Sequence, residues 1–256
     1  MSPISYQIIG KGLPVVLIHG FAEDSSIWNH QVEFLKDKCM LIVPDLPGSG
    51  QSALIDKPGI GMEDYAVFIK QILEAEKIEQ CMMIGHSMGG HITLAFAEKY
   101  PDALIAFSLF HSSAYADDAA KVETRKKAIE FIKANGSAAF LKTSIPGLFY
   151  DQHNLDPIHA LIEKGKLFTP LALVQYYEAM IARPDRTAVL QKTTKPVLFI
   201  FGEHDKAVPF KQGLEQSHLP QQSYIYVLRN SAHMGMLEET EKANQILGIF
   251  LLNHGS

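Results

Sequence analysis

Met82-Met83-Ile84-Gly85-His86-Ser87-Met88-Gly89-Gly90 is an apolar run that breaks at a glycine, presents one serine, and passes a second glycine into an Ala-rich segment. That segment carries Leu94, Phe96 and Ala97 and stops before Pro101. The pattern predicts a strand, a sharp turn and a helix. Such a turn holds Ser87 in a strained backbone conformation, which costs about 1–3 kcal/mol and persists only where the surroundings enforce it. Gly85 and Gly89 leave out side chains where strand and helix crowd together, and Gly90 serves the same packing. The Ser87 hydroxyl then sits at the amino end of a helix, beside free N–H groups and a field that favours negative charge.

Outward from this turn, short apolar runs recur at residues 15–18, 39–43, 104–110, 197–201 and 224–228, each bounded by Gly, Pro or a polar residue. They read as buried parallel strands. Between them lie helical patterns at residues 27–36, 64–76, 89–99 and 240–252. The class is therefore α/β, a mostly parallel sheet with helices on both faces. Residues 5–9 add an antiparallel edge strand before the Gly10-Gly12 turn.

The alternation stops at residues 116–191, which read as helices only. Asp118 opens a run that ends at Asn135-Gly136; residues 137–144 form a second helix; a third runs from Asp156-Pro157 to near Gly165. Thr169-Pro170 caps a fourth that passes Tyr176 and Tyr177 towards Arg183-Pro184. This is too much helix for one crossover. The segment is expected to be an inserted lid over a core made of residues 1–115 and 192–256. Its aromatic residues Phe131, Phe140, Phe149, Tyr176 and Tyr177 need something to pack on, and some of them would line a pocket.

A serine hydroxyl is a weak nucleophile until a base takes its proton. Of the 11 histidines, His233 lies in a short loop between the last strand and the last helix, which places it at the carboxyl end of the sheet. Asp205 follows the strand at 197–201 and would hold the imidazole in the right tautomer. Glu203 is the rival acid, and Asp205 could instead cap a helix over residues 208–217. A tetrahedral intermediate needs donors for its oxygen: the backbone N–H of Met88 is one, and that of Phe21, in the His19-Gly20-Phe21 loop, is the second. His19, His86, His111, Phe140, Tyr176 and Tyr177 are the candidate pocket residues. Of these, His19 is placed to orient its loop, and His86 to be packed or hydrogen-bonded.

A chain of 256 residues with 47% hydrophobic and 20% charged residues is that of an ordinary globular protein. The net charge of -5 gives no electrostatic case for a nucleic-acid partner, and Arg125, Lys126 and Lys127 read as one solvated helix face. Cys39 and Cys81 are expected to be buried thiols. No apolar stretch approaches the length of a membrane span, and residues 1–6 lack the pattern of a signal peptide, so the expected location is the cytoplasm. No cofactor and no metal are implied: there is no H-E-x-x-H, and the glycines at 48 and 50 lack a dinucleotide fingerprint. The sequence sets no oligomeric state.

Together these residues resemble the α/β-hydrolase superfamily, over nearly the whole chain and in the family's order. The segments are His19-Gly20-Phe21, residues 45–52 (D-L-P-G-S-G-Q-S), residues 85–89 (G-H-S-M-G), residues 202–205 (G-E-H-D) and the His233 loop. The order serine, acid, histidine is also the family's. The resemblance implies a structural turn at Asp45, Gly48, Gly50 and Ser52, and a lid between the family's sixth and seventh core strands. Relatives similar to dehalogenases and epoxide hydrolases carry aspartate where this chain has Ser87; proline-peptidase-like relatives show G-G-S-W-G. What the resemblance leaves is hydrolysis of small carboxylic esters, with two alternatives: cleavage of a carbon–carbon bond in dienoic diketones, or hydrolysis of a lactone or thioester. A ligand-binding module on the same fold is the non-enzymatic alternative, but it has no need to retain Ser87, Asp205 and His233 together.

Overall fold

The computed structural model describes residues 5–254. Seven strands form one sheet: β1 (Tyr6–Ile9), β2 (Pro14–Ile18), β3 (Met40–Pro44), β4 (Cys81–His86), β5 (Leu104–Phe110), β6 (Val197–Gly202) and β7 (Ser223–Leu228). Their order across the sheet is β1-β3-β2-β4-β5-β6-β7. Only β1 runs antiparallel, paired with β3 so that Tyr6 faces Pro44 and Ile9 faces Leu41. Every residue of β4 and of β6 is buried, as expected of apolar parallel strands covered on both faces.

The chain runs from β2 outward to β3 and then crosses back to β4 on the other side of β2. The carboxyl ends of β2 and β4 therefore flank the point where strand order reverses, where a crevice opens in sheets of this kind. In the β2–β4 register Ile18 faces Gly85, so the residues that follow each strand emerge side by side.

The helices are α1 (Asn29–Leu35), α2 (Met62–Ala75), α3 (Met88–Lys99), α4 (Ala119–Asn135), α5 (Ser137–Ser144), α6 (Leu155–Gly165), α7 (Pro170–Ala182), α8 (Thr187–Lys192), α9 (Phe210–Gln216), α10 (Gly235–Glu238) and α11 (Thr240–His254). α2 packs on α3, and α1 on α11. Trp28, before α1, is fully buried among the core side chains. Cys39 and Cys81 are free, buried thiols, and burial pushes their pKa values up to about 11 and about 12.

Helices α4 to α8 all lie between β5 and β6. The sequence cues for their ends act locally. Asp118 accepts the Lys121 amide at 2.7 Å, Thr169 accepts the Ala172 amide at 3.2 Å, and Gly136 ends α4 with φ +83°. The insertion follows the fifth of the seven described strands. One expectation needs correction. The short helix α8 adds to the four helices expected there; its six residues are too few for a periodic signal. It packs on α3, and Arg186 just before it reaches Glu98 at 3.0 Å and also Glu63.

Candidate active site

Ser87 sits between β4 and α3 with φ +50° and ψ −114°, a region that a residue with a side chain enters only under constraint. Hydrogen bonds supply that constraint: the Ser87 amide donates to Phe110 O at 3.0 Å, and the Ser112 hydroxyl donates to Ser87 O at 2.6 Å. The glycines on either side are sterically required. A Cβ on Gly85 would meet the Gly89 carbonyl, and one on Gly89 would meet those of Ile18 and His19.

His233 follows β7, and its Nε2 lies 2.8 Å from Ser87 Oγ. Its Nδ1 lies 2.8 Å from Asp205 Oδ2. The other carboxylate oxygen of Asp205 accepts the amides of Ala207 and Val208 at 2.8 and 2.9 Å. Burial opposes ionisation of Asp205. The imidazoles of His233 and His111 beside it outweigh that and hold its carboxyl well below the usual carboxylate range. An ionised Asp205 accepts from Nδ1–H, which leaves Nε2 free to accept the Ser87 proton. Glu203, the rival acid, is exposed.

The loop after β2 runs beside this relay. A Cβ on Gly20 would lie 3.2 Å from Ser87 Cβ. His19 controls the loop. It is fully buried, its Nε2 accepts the Leu46 amide at 2.9 Å, and its Nδ1–H donates to Gly20 O at 2.9 Å. Burial holds its pKa below the ordinary value, in keeping with a neutral ring that donates once and accepts once. In a trans peptide the C=O and N–H point opposite ways, so a fixed Gly20 carbonyl also fixes the Phe21 N–H. The amides of Phe21 and Met88 donate to no protein acceptor among the described residues.

Four of the six candidate pocket residues are fully buried. His86 and His111, like His19, have no exposed area, and neither does Tyr176. The Tyr176 hydroxyl bonds to Ser49 Oγ at 2.7 Å and Pro47 O at 2.8 Å, fastening α7 to the turn after β3. In that turn Asp45 accepts the amides of Ser25 and Gln51, at 2.9 and 3.0 Å, while Gly48 and Gly50 take positive φ. His111, at φ +50°, puts Nδ1 3.0 Å from the Gly202 amide nitrogen and 3.4 Å from Asp205 Oδ2. Burial pushes its pKa down to about 4, so it is neutral near pH 7.

Phe140 and Tyr177 do lie at the loop. Tyr177 stacks on Phe21 with ring centroids 4.2 Å apart, and Phe140 meets Phe21 edge-on at 6.4 Å. Side chains of α5 and α7 thus pack on Phe21. Two further links tie the insertion to the histidine loop: the His233 amide donates to Leu148 O at 2.9 Å, and Glu238 accepts the amides of Tyr150 and Ala232 at 2.6 and 2.9 Å.

One residue that sequence reasoning does not reach is Glu23. It is buried, accepts the Gly20 amide at 2.6 Å, and lies 3.0 Å from His86 Nδ1. Its spacing to His19 follows no motif, and with Asp24, Ser25 and Ser26 directly after it nothing local sets it apart.

A family profile described as alpha/beta hydrolase fold matches residues 14–110. An uncharacterized protein of Mycobacterium tuberculosis is 36% identical over 109 residues, which is 41% of this chain and only 31% of that protein. The uncharacterized hydrolase YugF of Bacillus subtilis is 25% identical and is matched over 96% of this chain and 92% of its own. Among solved structures, a thermophilic esterase from Thermogutta terrifontis is 27% identical, with a TM-score of 0.94 over 99% of this chain and 94% of its own.

Proposed function

We propose that this chain, whose fold is that of the α/β-hydrolases, is a hydrolase of that superfamily and cleaves small carboxylic esters through an acyl-enzyme on Ser87. The observation that carries this reading is the unbroken relay from Ser87 Oγ through His233 to Asp205, with both links at 2.8 Å.

His233 takes the Ser87 proton as Oγ attacks the ester carbonyl. The N–H groups of Phe21 and Met88 receive the oxyanion; such a donor is worth about 2.7–4 kcal/mol in other hydrolases. Asp205 holds the ring and balances the charge of the imidazolium. As the tetrahedral intermediate collapses, His233 passes its proton to the leaving alcohol. Water then enters, loses a proton to His233, and releases the acid by the same steps in reverse.

Residues 116–191 are the lid of this site, set on a core of residues 1–115 and 192–256. The stacking of Tyr177 on Phe21 and the bond from the His233 amide to Leu148 O support that assignment. The substrate is a small molecule, and the reaction draws on side chains and backbone amides alone. No helix among the described residues is long and apolar enough to cross a membrane.

The test is turnover of a panel of short- and long-chain esters, a lactone, a thioester and a dienoic diketone. Short esters are expected to give the highest kcat/KM. Turnover of the diketone alone would replace ester cleavage by carbon–carbon hydrolysis at the same relay.

A further inference from the structure

His86 precedes the serine but is turned away from it, into the protein. Its ring has no exposed area, and each of its nitrogens faces an acceptor. Nδ1 lies 3.0 Å from Glu23 Oε2, and Nε2 lies 3.0 Å from the backbone carbonyl oxygen of His233. A carboxylate and a carbonyl can only accept, so both contacts are hydrogen bonds only if the ring carries two hydrogens. We propose that His86 is a permanently protonated positioning residue that, paired with Glu23, ties the loop carrying the Phe21 amide to the loop carrying His233. This rests on the assignment of Ser87 and His233 as nucleophile and base.

Glu23 Oε2 accepts from His86 and from the Gly20 amide, 2.6 Å away. His86 accordingly grips the His233 backbone with one nitrogen and, through Glu23, the peptide before Phe21 with the other. Elbow, oxyanion loop and histidine loop become one hydrogen-bonded unit. An apolar residue at position 86 could fill the space but could not join the three.

The other titratable groups around His86 come from three elements. The His233 ring is 5.0 Å away between centroids, and His111, at the end of β5, is 6.0 Å away. Asp205, after β6, bonds to His233. Burial disfavours the His86 imidazolium, and the adjoining Glu23 carboxylate outweighs burial. Asp205 favours the cation as well, and His111 is neutral. The cation lies beside the His233 ring, with 5.0 Å between centroids.

The charge is read directly from nitrogen-15 resonances of the imidazoles. At about pH 8, well above the ordinary histidine range, one imidazole is expected to carry hydrogens on both nitrogens. That signal is lost in His86→Gln and becomes a neutral tautomer in Glu23→Gln. A wild-type spectrum in which every imidazole is neutral overturns the proposal and needs no variant to fold.

The positioning role is read from kcat/KM against pH on a short ester. Either variant is expected to lose about 10–100-fold, as displaced catalytic groups do. Its acid limb should move to higher pH, because a cation beside the base has gone. A fall in rate with an unmoved limb reduces the pair to a structural role and overturns the proposal. If His86→Gln does not fold, Glu23→Gln carries the comparison. Organophosphonate labelling of the wild type separates the two readings: an unlabelled Ser87 sinks the nucleophile assignment, whereas a labelled Ser87 with unmoved limbs sinks this inference alone.

Discussion

His233 Nε2 lies 2.8 Å from Ser87 Oγ across 146 residues of sequence. The ring reaches that point because its residue is held on every side. Asp205 takes Nδ1–H, Leu148 O takes the backbone N–H, and His86 faces the backbone carbonyl. A base fixed at three points needs little reorganisation before it accepts a proton.

Asp205→Asn tests the acid. The asparagine oxygen can still accept the Ala207 and Val208 amides, so the loop should keep its shape. The amide cannot stabilise an imidazolium or enforce the tautomer, and kcat should fall by about 10⁴-fold. The exposed Glu203→Gln should stay within a few-fold of wild type. Steady-state kinetics on one ester, with melting curves for both variants, checks the pair.

Gly202→Ala tests the seat of the histidine loop. A Cβ there would run into the Ala232 carbonyl, one residue before His233, and backbone cannot yield as a side chain tip can. Overpacking of this kind costs about 1–3 kcal/mol. The expected outcome is a lower thermal midpoint together with a loss of kcat beyond what reduced stability explains.

Stability should fall in mild acid. His19, His91 and His111 are buried with pKa values held below their ordinary 6.5, so below that pH the unfolded chain takes up protons that the folded chain refuses. His86 acts in the opposite sense, since its raised pKa contributes stability that is fully present below 6.5. The histidines with lowered pKa values, His254 among them, outnumber it, and the thermal midpoint should drop between about pH 6.5 and 4. For His111 alone, pushed down to about 4, the effect is on the order of 3 kcal/mol. His111→Asn, which suits the positive φ there, should flatten the slope. Melting curves at several pH values decide it.

Tyr177→Ala removes the ring stacked on Phe21. The contact is worth about 0.5–1.5 kcal/mol beyond its buried area. The space it leaves adjoins the oxyanion loop, so kcat/KM should move in favour of longer acyl chains. An unchanged chain-length profile would take Tyr177 away from the substrate.

What is legible in the sequence is what local patterning controls. The run ending at Gly85 and the segment from Gly89 read correctly as strand and helix, because apolar periodicity and glycine punctuation act over a few residues. Topology then brings Ser87, Asp205 and His233 to one edge. Partners chosen by tertiary packing are not legible. Nothing near Glu23 marks it as the mate of a histidine 63 residues away. His19, His86, His111 and Tyr176 read as pocket residues because each lies near a strand end or on the inserted helices. Their placement below the surface depends on side-chain direction, which sequence position alone does not specify.

The most direct measurement is covalent labelling by an organophosphonate, with the modified peptide identified by mass spectrometry, on the wild type and on Ser87→Ala. One label per chain, on Ser87, with none on the variant, is the predicted result. Equal labelling of both proteins, or a label on another residue of the wild type, would contradict the assignment of Ser87 as nucleophile.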